Sequence, residues 1–157
     1  MRRRQSGFTL IELVIVIVVL GILAALAVPR FISLQREARI AVVDSLFTSV
    51  RSGANIVFAK SAAAGLAAGA TSSVDIDGPS NPGGVINTHF GYPRAVQGDL
   101  TLLFDNLSTR YSFTGGGTTP GNTITMTLDG IATCSVAYSS PSLAGASPTI
   151  VRTITGC

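Results

Sequence analysis

The feature that most constrains this chain is a run of sixteen apolar residues, Leu13–Val28, with a single carboxylate, Glu12, directly before it. Together with the residues that precede Glu12, the segment 8–28 is long enough to cross the ~30 Å hydrocarbon layer of a membrane as a helix. Val and Ile favour strands in water, but in lipid the backbone must satisfy its own hydrogen bonds, which requires a helix. We therefore predict a transmembrane helix over 8–28.

Three arginines, Arg2–Arg4, precede this segment and should keep the N-terminus cytoplasmic, so that the rest of the chain lies outside. The chain contains 11 Lys and Arg against 8 Asp and Glu, a net charge of +3. The three arginines account for the whole excess. The charge is therefore not the distributed basic surface typical of nucleic-acid-binding proteins, and we predict no specific nucleic-acid partner.

A second helical pattern follows Pro29. Apolar residues recur there at spacings of three and four, which describes one face of an amphipathic helix over 29–64. These residues include Phe31, Leu34, Ala38, Ala41, Val42, Leu46, Val50 and Val57. The small-residue tract that closes with Gly65 should end the helix. Gly21 and Pro29 predict a kink or local break, because proline lacks the amide hydrogen that a helix interior uses.

The remainder, 65–157, indicates a globular β head. Candidate strands are Val85–Phe90, Leu100–Phe104, Arg110–Thr114, Asn122–Leu128, Ile131–Tyr138 and Thr149–Ile154. The Ser/Gly/Pro-rich stretch 70–84 is expected to be a loop. Asp129-Gly130 predicts a two-residue type I′ hairpin loop. We expect an α+β fold in which the hydrophobic half of a long N-terminal helical spine protrudes and its amphipathic half packs on an antiparallel β-sheet.

The two cysteines, Cys134 and Cys157, lie far downstream of the membrane-entry segment. In such a chain they predict one disulfide formed in an oxidising compartment, with two free thiols as the alternative. The bridge would bound the region 134–157 and hold the last residue, where a terminus otherwise frays. Loop-closure entropy makes a bridge of this span worth roughly 3 kcal/mol.

Residues suited to catalysis or metal binding are sparse. His89 is the only histidine, which excludes a His-rich metal site. Asp75–Asp77 could supply oxygen ligands to a cation, but a solvated acidic loop is the simpler interpretation. Gly115–Gly117 lacks the lysine of a phosphate-binding loop, and no serine is marked as a nucleophile. We predict no enzyme activity, no catalytic residue, no metal and no cofactor.

Glu12 has two interpretations. The sequence Thr9-Leu10-Ile11-Glu12 fits the S/T-x-x-E capping box at a helix start. Alternatively, a cut between Gly7 and Phe8 would create an α-amino group at Phe8. The Glu12 carboxylate of one copy could pair with that amine on another copy in an apolar core, where only a paired charge is tolerated. This pair would fix the register of assembling subunits.

The basic leader, the segment Ser6–Leu13 and the apolar helix with Gly21 and Pro29 resemble the type IV prepilin signature. The short leader and the Phe at position 8 agree with the type IVa subclass. The cysteine pair resembles the C-terminal disulfide region of major pilins, and stretches 38–65 and 90–93 resemble MSHA-type (mannose-sensitive haemagglutinin) pilins more loosely. The resemblance implies the pilin fold and a helix that loosens between Gly21 and Pro29 in the filament.

The resemblance also implies that a prepilin peptidase removes residues 1–7 after Gly7 and N-methylates Phe8, and that Phe8 and Glu12 serve subunit assembly. The implied product is a homopolymer of pilin subunits, a surface fibre for adhesion and biofilm attachment. Its implied partners are the pilus assembly machinery, the bacterial inner membrane, which holds the single-pass prepilin before it joins the extracellular fibre, and a host or abiotic surface ligand.

Two other classes of protein compete with this interpretation. Type II secretion pseudopilins share the leader and helix, but they usually carry an acidic calcium loop near the C-terminus. The last 24 residues here contain no Asp or Glu, which favours a pilin. A secreted soluble β domain would instead use the A-x-A signal-peptidase site at Ala25–Ala27 and begin at Val28. Glu12 within the run and the amphipathic pattern after Pro29 argue against it.

Overall fold

A computed structural model of the chain describes residues 7–77, 84–104 and 107–157. The chain divides into two units, with the boundary between Ala38 and Arg39. Its secondary structure is a long N-terminal α-helix, α1 (Leu10–Ala63), followed by short helices and antiparallel strands. The expected α+β class is confirmed.

In the first unit α1 exposes its apolar residues. Every large apolar side chain from Leu10 to Leu34 is exposed. By length and composition α1 could cross a membrane, a property that signal sequences near an N-terminus share. The helix continues through Gly21 and Pro29, and the kink or local break expected at these residues stays a prediction. Pro29 removes one amide donor, which a helix of 54 residues tolerates.

The C-terminus of α1 is closed by a glycine cap. Gly65 has φ 72°, a left-handed conformation that glycine adopts without steric cost. The Leu66 amide donates to the Ser61 carbonyl at 2.8 Å and the Gly65 amide donates to the Ala62 carbonyl at 3.0 Å. These two bonds form a Schellman motif, which satisfies carbonyls that the helix end leaves free. The predicted end of the helix is confirmed.

The strands form two sheets. The three-stranded sheet has the order β1 (Ser72–Asp75), β2 (Val85–His89), β3 (Tyr92–Pro93). Two short helices follow, α2 (Gln97–Thr101) and α3 (Leu107–Arg110). The four-stranded sheet has the order β4 (Tyr111–Gly115), β5 (Thr123–Leu128), β6 (Ser135–Ser139), β7 (Thr149–Thr153). All described pairings are antiparallel.

The strand expected at Leu100–Phe104 is wrong, because part of it lies in helix α2. The Asp99 carboxylate accepts hydrogen bonds from the Asn87 amide at 3.2 Å and from Arg94 Nε at 2.9 Å. The helical turn buries Asp99 beside Leu100. The strand was predicted from the local sequence pattern, which does not show contacts with residues elsewhere in the chain.

Strand β1 was not expected, since its residues lie in the stretch interpreted as a loop. Ser72 pairs with Thr88 and Asp75 pairs with Val85 across the β1–β2 ladder. Val74 is buried and packs with Val57 of α1 and Ile86 of β2. Pairing with a strong neighbouring strand outweighs the weak propensity of this segment.

The Asp129-Gly130 turn forms, but it is not a two-residue hairpin loop. Both residues have positive φ, 49° and 74°, as a type I′ turn requires. The Ile131 amide donates to the Leu128 carbonyl at 2.9 Å. A second turn then closes from the Cys134 amide to the Ile131 carbonyl at 2.8 Å, so β6 begins later than predicted. The longer connection brings Cys134 to its place in the core.

The core of the second unit lies between α1 and the sheets. Helix α1 contributes Val43, Leu46, Val50 and Ala54, and the four-stranded sheet contributes Ile124, Met126, Leu128, Val136 and Tyr138. The predicted packing of the amphipathic helix on the sheet is confirmed for this part of α1. The predicted face began at Pro29, but Phe31 and Leu34 are exposed, and burial begins with half-buried Ile40 and buried Val43.

Candidate functional site

The segment that precedes α1 presents the candidate processing site. Gly7, Phe8 and Thr9 are neither helix nor strand, and all three are exposed. The Phe8 side chain is 87% exposed. An exposed backbone outside helix and strand is accessible to a peptidase. The leader residues Arg2–Arg4 and Ser6 lie outside the described part of the chain.

Thr9 and Glu12 form a reciprocal capping box. The Thr9 backbone amide donates to Glu12 Oε2 at 2.9 Å, and the Glu12 amide donates to Thr9 Oγ1 at 3.3 Å. The Thr9 hydroxyl also donates to Glu12 Oε2 at 2.7 Å. The capping interpretation of Glu12 is therefore confirmed. Among the described residues, Glu12 Oε1 accepts no hydrogen bond, which leaves one carboxylate oxygen available.

The two cysteines form the predicted disulfide. The Cys134 and Cys157 sulfur atoms lie 2.00 Å apart, and the two Cα atoms are 4.9 Å apart. Both residues are buried in the main core. The bridge ties the C-terminal residue to the connection between β5 and β6.

Two contacts that the sequence analysis missed tie this C-terminal region to α1. The Arg39 guanidinium donates to the Cys157 carbonyl at 3.5 Å, and Arg152 of β7 forms an ion pair with Asp44. The partners are separated by 118 and 108 positions in the chain. No local pattern in the sequence connects residues at such separations.

Residues 2–28 match the prokaryotic N-terminal methylation motif.

Relatives with curated descriptions share a short part of this chain. The Type IV narrow pilus major component PilA5 of Thermus thermophilus is 59% identical over 49 residues, 31% of this chain and 42% of the relative. The Type II secretion system core protein G of Pseudomonas aeruginosa is 58% identical over 41 residues, which are 26% of this chain and 29% of the relative. The Type IV major pilin protein PilA of Myxococcus xanthus is 56% identical over 36 residues, which are 23% of this chain and 16% of the relative.

These similarities concern less than half of each relative's length and less than a third of this chain. No solved structure matches the chain. The chain is therefore similar to type IV pilins and to type II secretion core proteins over a short segment, and it carries the methylation motif that the N-terminal residues predicted.

His89 holds parts of the head together. Its imidazole is fully buried, with Nε2 3.0 Å from the Thr118 carbonyl and Nδ1 3.2 Å from Ser140 Oγ. Nε2–H therefore donates to the carbonyl and Nδ1 accepts from the hydroxyl of a neutral ring. Burial lowers the pKa of His89, which favours this neutral form. Ser140 is also buried, so the His–Ser pair offers no nucleophile to a substrate.

The acidic residues considered as cation ligands lie at the end of β1. The Asp77 amide donates to Asp75 Oδ1 at 3.1 Å, which is a local turn bond. Within the described ranges no group of three His, Cys, Asp or Glu side chains is placed to hold a metal ion. The N-terminal segment and the apolar helix behind it remain the candidate site.

Proposed function

We propose that this chain is a structural subunit of a type IV pilus. It would polymerise through its N-terminal helix into a surface fibre that serves adhesion and biofilm attachment. The observation that carries the proposal is the combination of the methylation motif over 2–28 with an apolar helix whose large side chains are all exposed. Such a surface requires lipid or copies of the same helix to cover it.

The maturation steps follow from the N-terminal segment. The subunit would enter the bacterial inner membrane as a single-pass prepilin with Arg2–Arg4 on the cytoplasmic side. A prepilin peptidase would cut after Gly7 and methylate the new amino group of Phe8. The exposed, irregular backbone at these two residues supports such a cut.

Glu12 would act twice. Within one subunit it caps α1 through Oε2, as the contacts with Thr9 show. In the fibre, its free oxygen Oε1 would accept a hydrogen bond from the Phe8 amine of a neighbouring copy. An unpaired charge in an apolar core costs several kcal/mol, roughly 3–5 when one partner is removed, so the pair would select one axial register.

The helix between Gly21 and Pro29 would loosen in the fibre. In the single chain this segment is helical. Once helices pack around it, neighbouring side chains and water can satisfy the carbonyl that Pro29 leaves without a donor, and glycine adds backbone freedom. The MSHA-type subclass, proposed from stretches 38–65 and 90–93, belongs to this same proposal.

The test is the chemical identity of the mature N-terminus. Mass spectrometry of subunits from sheared surface fibres should show a chain that begins with N-methylated Phe8. When the same cells express the Gly7→Val variant instead, the subunit should accumulate uncut in the membrane. A mature chain that begins at Val28 would overturn the proposal in favour of a secreted β domain.

The second candidate is a type II secretion pseudopilin, which the similarity to core protein G favours. The disulfide at Cys134–Cys157 and the absence of Asp and Glu from the last 24 residues favour the pilus subunit. Deletion of the gene separates the two. Loss of surface fibres with normal protein secretion supports the pilus, whereas a secretion defect with normal fibres supports the pseudopilin.

A further inference from the structure

A pocket opens in the second unit between α1 and the connection from β6 to β7. Its volume is about 260 Å³. Four of its lining residues have polar side chains, and these are Arg51, Asn55, Tyr92 and Ser147. Apolar walls are supplied by Phe47 and Pro148. Phe47, Arg51 and Asn55 follow one another at four-residue spacing and so lie on one face of the helix.

The polar side chains of this pocket have no hydrogen-bond partner among the described residues. The side chains of Arg51, Asn55 and Ser147 are exposed and make no hydrogen bond or ion pair among the described residues. Tyr92 is only 8% exposed, and its hydroxyl is also without a partner there. In the described part of the chain, Ser61 Oγ is the single enclosed side-chain polar atom that lacks a partner. The Tyr92 hydroxyl therefore keeps access to solvent on an otherwise buried ring.

Four other cations of the second unit are engaged. Arg94 pairs with Asp99, Arg152 pairs with Asp44, and Lys60 and Arg39 donate to the carbonyls of Ile76 and Cys157. Arg51 differs, since it projects into a pocket whose lining contains no carboxylate. A guanidinium presents donors in a planar fork that matches a carboxylate. The pocket therefore favours an anionic ligand.

We propose that this pocket binds an acidic sugar. Its carboxylate would bind Arg51, and its hydroxyls would bind Asn55, Ser147 and the Tyr92 hydroxyl. The C–H face of the ring would pack on Phe47 and Pro148. An inorganic anion would use only the guanidinium, whereas a sugar acid uses the cation, the neutral polar groups and the apolar walls together. The volume suits one sugar ring, and it lies just below the range of pockets that enclose larger ligands.

Tyr92 also lines a second pocket of about 260 Å³. It is lined mainly by apolar groups, among them Phe58, Phe90 and Ala146. The ring of Phe58 stacks on the ring of Tyr92 with centroids 4.5 Å apart and an angle of 15°. An apolar substituent on the sugar, such as an acetamido methyl group, would be covered there. N-acetylneuraminate should therefore bind more tightly than glucuronate.

The test uses the full chain in detergent and saturation-transfer difference NMR. The probes are N-acetylneuraminate, glucuronate, glucose and acetate. We expect binding of the two sugar acids, with no signal from glucose and much weaker binding of acetate. Acetate binding as strong as that of glucuronate would reduce the site to a simple anion site and overturn the proposal. Absence of binding by both sugar acids would overturn it as well.

Matched variants separate the pocket from general charge effects. Arg51→Gln should weaken sugar-acid binding by about tenfold or more, because it removes a charged hydrogen-bonding partner. Tyr92→Phe, which keeps the stacked ring, should weaken it about threefold to tenfold. Arg110→Gln removes a cation that does not line the pocket and should leave binding unchanged. Equal loss in Arg51→Gln and Arg110→Gln would contradict the proposal. Since binding is measured on dispersed subunits, failure here is distinct from a failure to form fibres.

Discussion

In the first unit of the chain, Phe8, Ile11 and Leu20 are all more than half exposed, whereas Val43 and Met126 of the second unit are completely buried. The second unit buries a core of apolar side chains between its own part of α1 and its strands, and a disulfide holds its C-terminal residue. The first unit has no such cover. Burial of one Leu or Ile side chain contributes about 1.5–3 kcal/mol, so the first unit gains this free energy only in lipid or against other subunits.

The difference separates two kinds of stability. The second unit is stabilised by contacts within one chain, and its variants should change the free energy of unfolding. Under the proposed function the first unit would be stabilised by association, so its variants should change location and assembly while leaving the head folded. The predictions below test this separation.

The largest effect is expected from Glu12→Val. If Glu12 pairs with the Phe8 amine of a neighbouring copy as proposed, its loss leaves that amine unpaired in an apolar core. Since this costs roughly 3–5 kcal/mol, fibre yield should fall by more than about tenfold. The subunit should remain in the membrane. The measurement is the mass of sheared fibres relative to membrane-bound subunit on an immunoblot.

Thr9→Val is the matched control for Glu12→Val. It removes the hydroxyl that caps α1 and keeps the carboxylate. Loss of an N-cap costs about 1 kcal/mol, so fibre yield should fall much less. Equal effects of the two substitutions, or normal fibres from Glu12→Val, would show that capping is the only role of Glu12.

Cys134→Ser should lower the free energy of unfolding of the head by about 3 kcal/mol, because the reduced chain gains loop entropy when unfolded. Cys157→Ser should have the same effect, and the double variant should be no worse than either single one. Denaturant unfolding of the full chain in detergent, without reductant, measures this. An unchanged midpoint in Cys134→Ser would contradict a stabilising role for the bridge.

Tyr138→Phe should cost about 1–2 kcal/mol, since it leaves a buried carbonyl without its donor. The Tyr138 hydroxyl donates to the Pro93 carbonyl at 2.7 Å and joins the two sheets. Burial raises the pKa of Tyr138, so the donor stays protonated. Tyr111→Phe, at a half-exposed tyrosine, should change stability by less than about 0.5 kcal/mol. Similar unfolding midpoints for both variants would argue against the bond between the sheets.

The smallest effect concerns pH. Burial lowers the pKa of His89 below its ordinary value of 6.5, so the unfolded chain binds more protons at mildly acidic pH. The contribution of His89 to stability is complete above pH 6.5 and decreases as the pH falls through its folded pKa. Two charged residues also act on the pKa of His89, in opposite directions: Arg94 lowers it and Asp99 raises it. His89→Gln should flatten the decrease of the unfolding midpoint below pH 6.5. If the decrease has the same slope in His89→Gln, carboxylates alone cause the loss of stability at low pH.

Local signals in the sequence predicted those features that depend on neighbours in the chain. The capping box needs only Thr9 and Glu12, and the end of α1 needs only the small residues before Gly65. The alternation in Thr123–Leu128 predicted β5 because the side-chain period of a strand is local. The disulfide was predictable since the chain contains only two cysteines.

The errors occur where distant residues decide the local structure. Asp99 is held by Asn87 and Arg94, so α2 forms where a strand was expected. β1 forms because β2 pairs with it. Of the candidate site, the sequence predicted the capping box of Thr9 and Glu12, and cleavage after Gly7 stays a prediction. The Arg51 pocket was not predicted, although the four-residue spacing of Phe47, Arg51 and Asn55 places them on one helix face.

The sequence by itself determined that this chain has a long apolar helix with one carboxylate at its start, because hydropathy and capping depend on adjacent residues. The tertiary structure decided where burial of α1 begins, at Val43 rather than at Pro29, and that the head has two sheets instead of one. It also brought Arg152 to Asp44 and Tyr138 to the Pro93 carbonyl. These outcomes depend on contacts between residues far apart in the chain, which only the folded packing specifies.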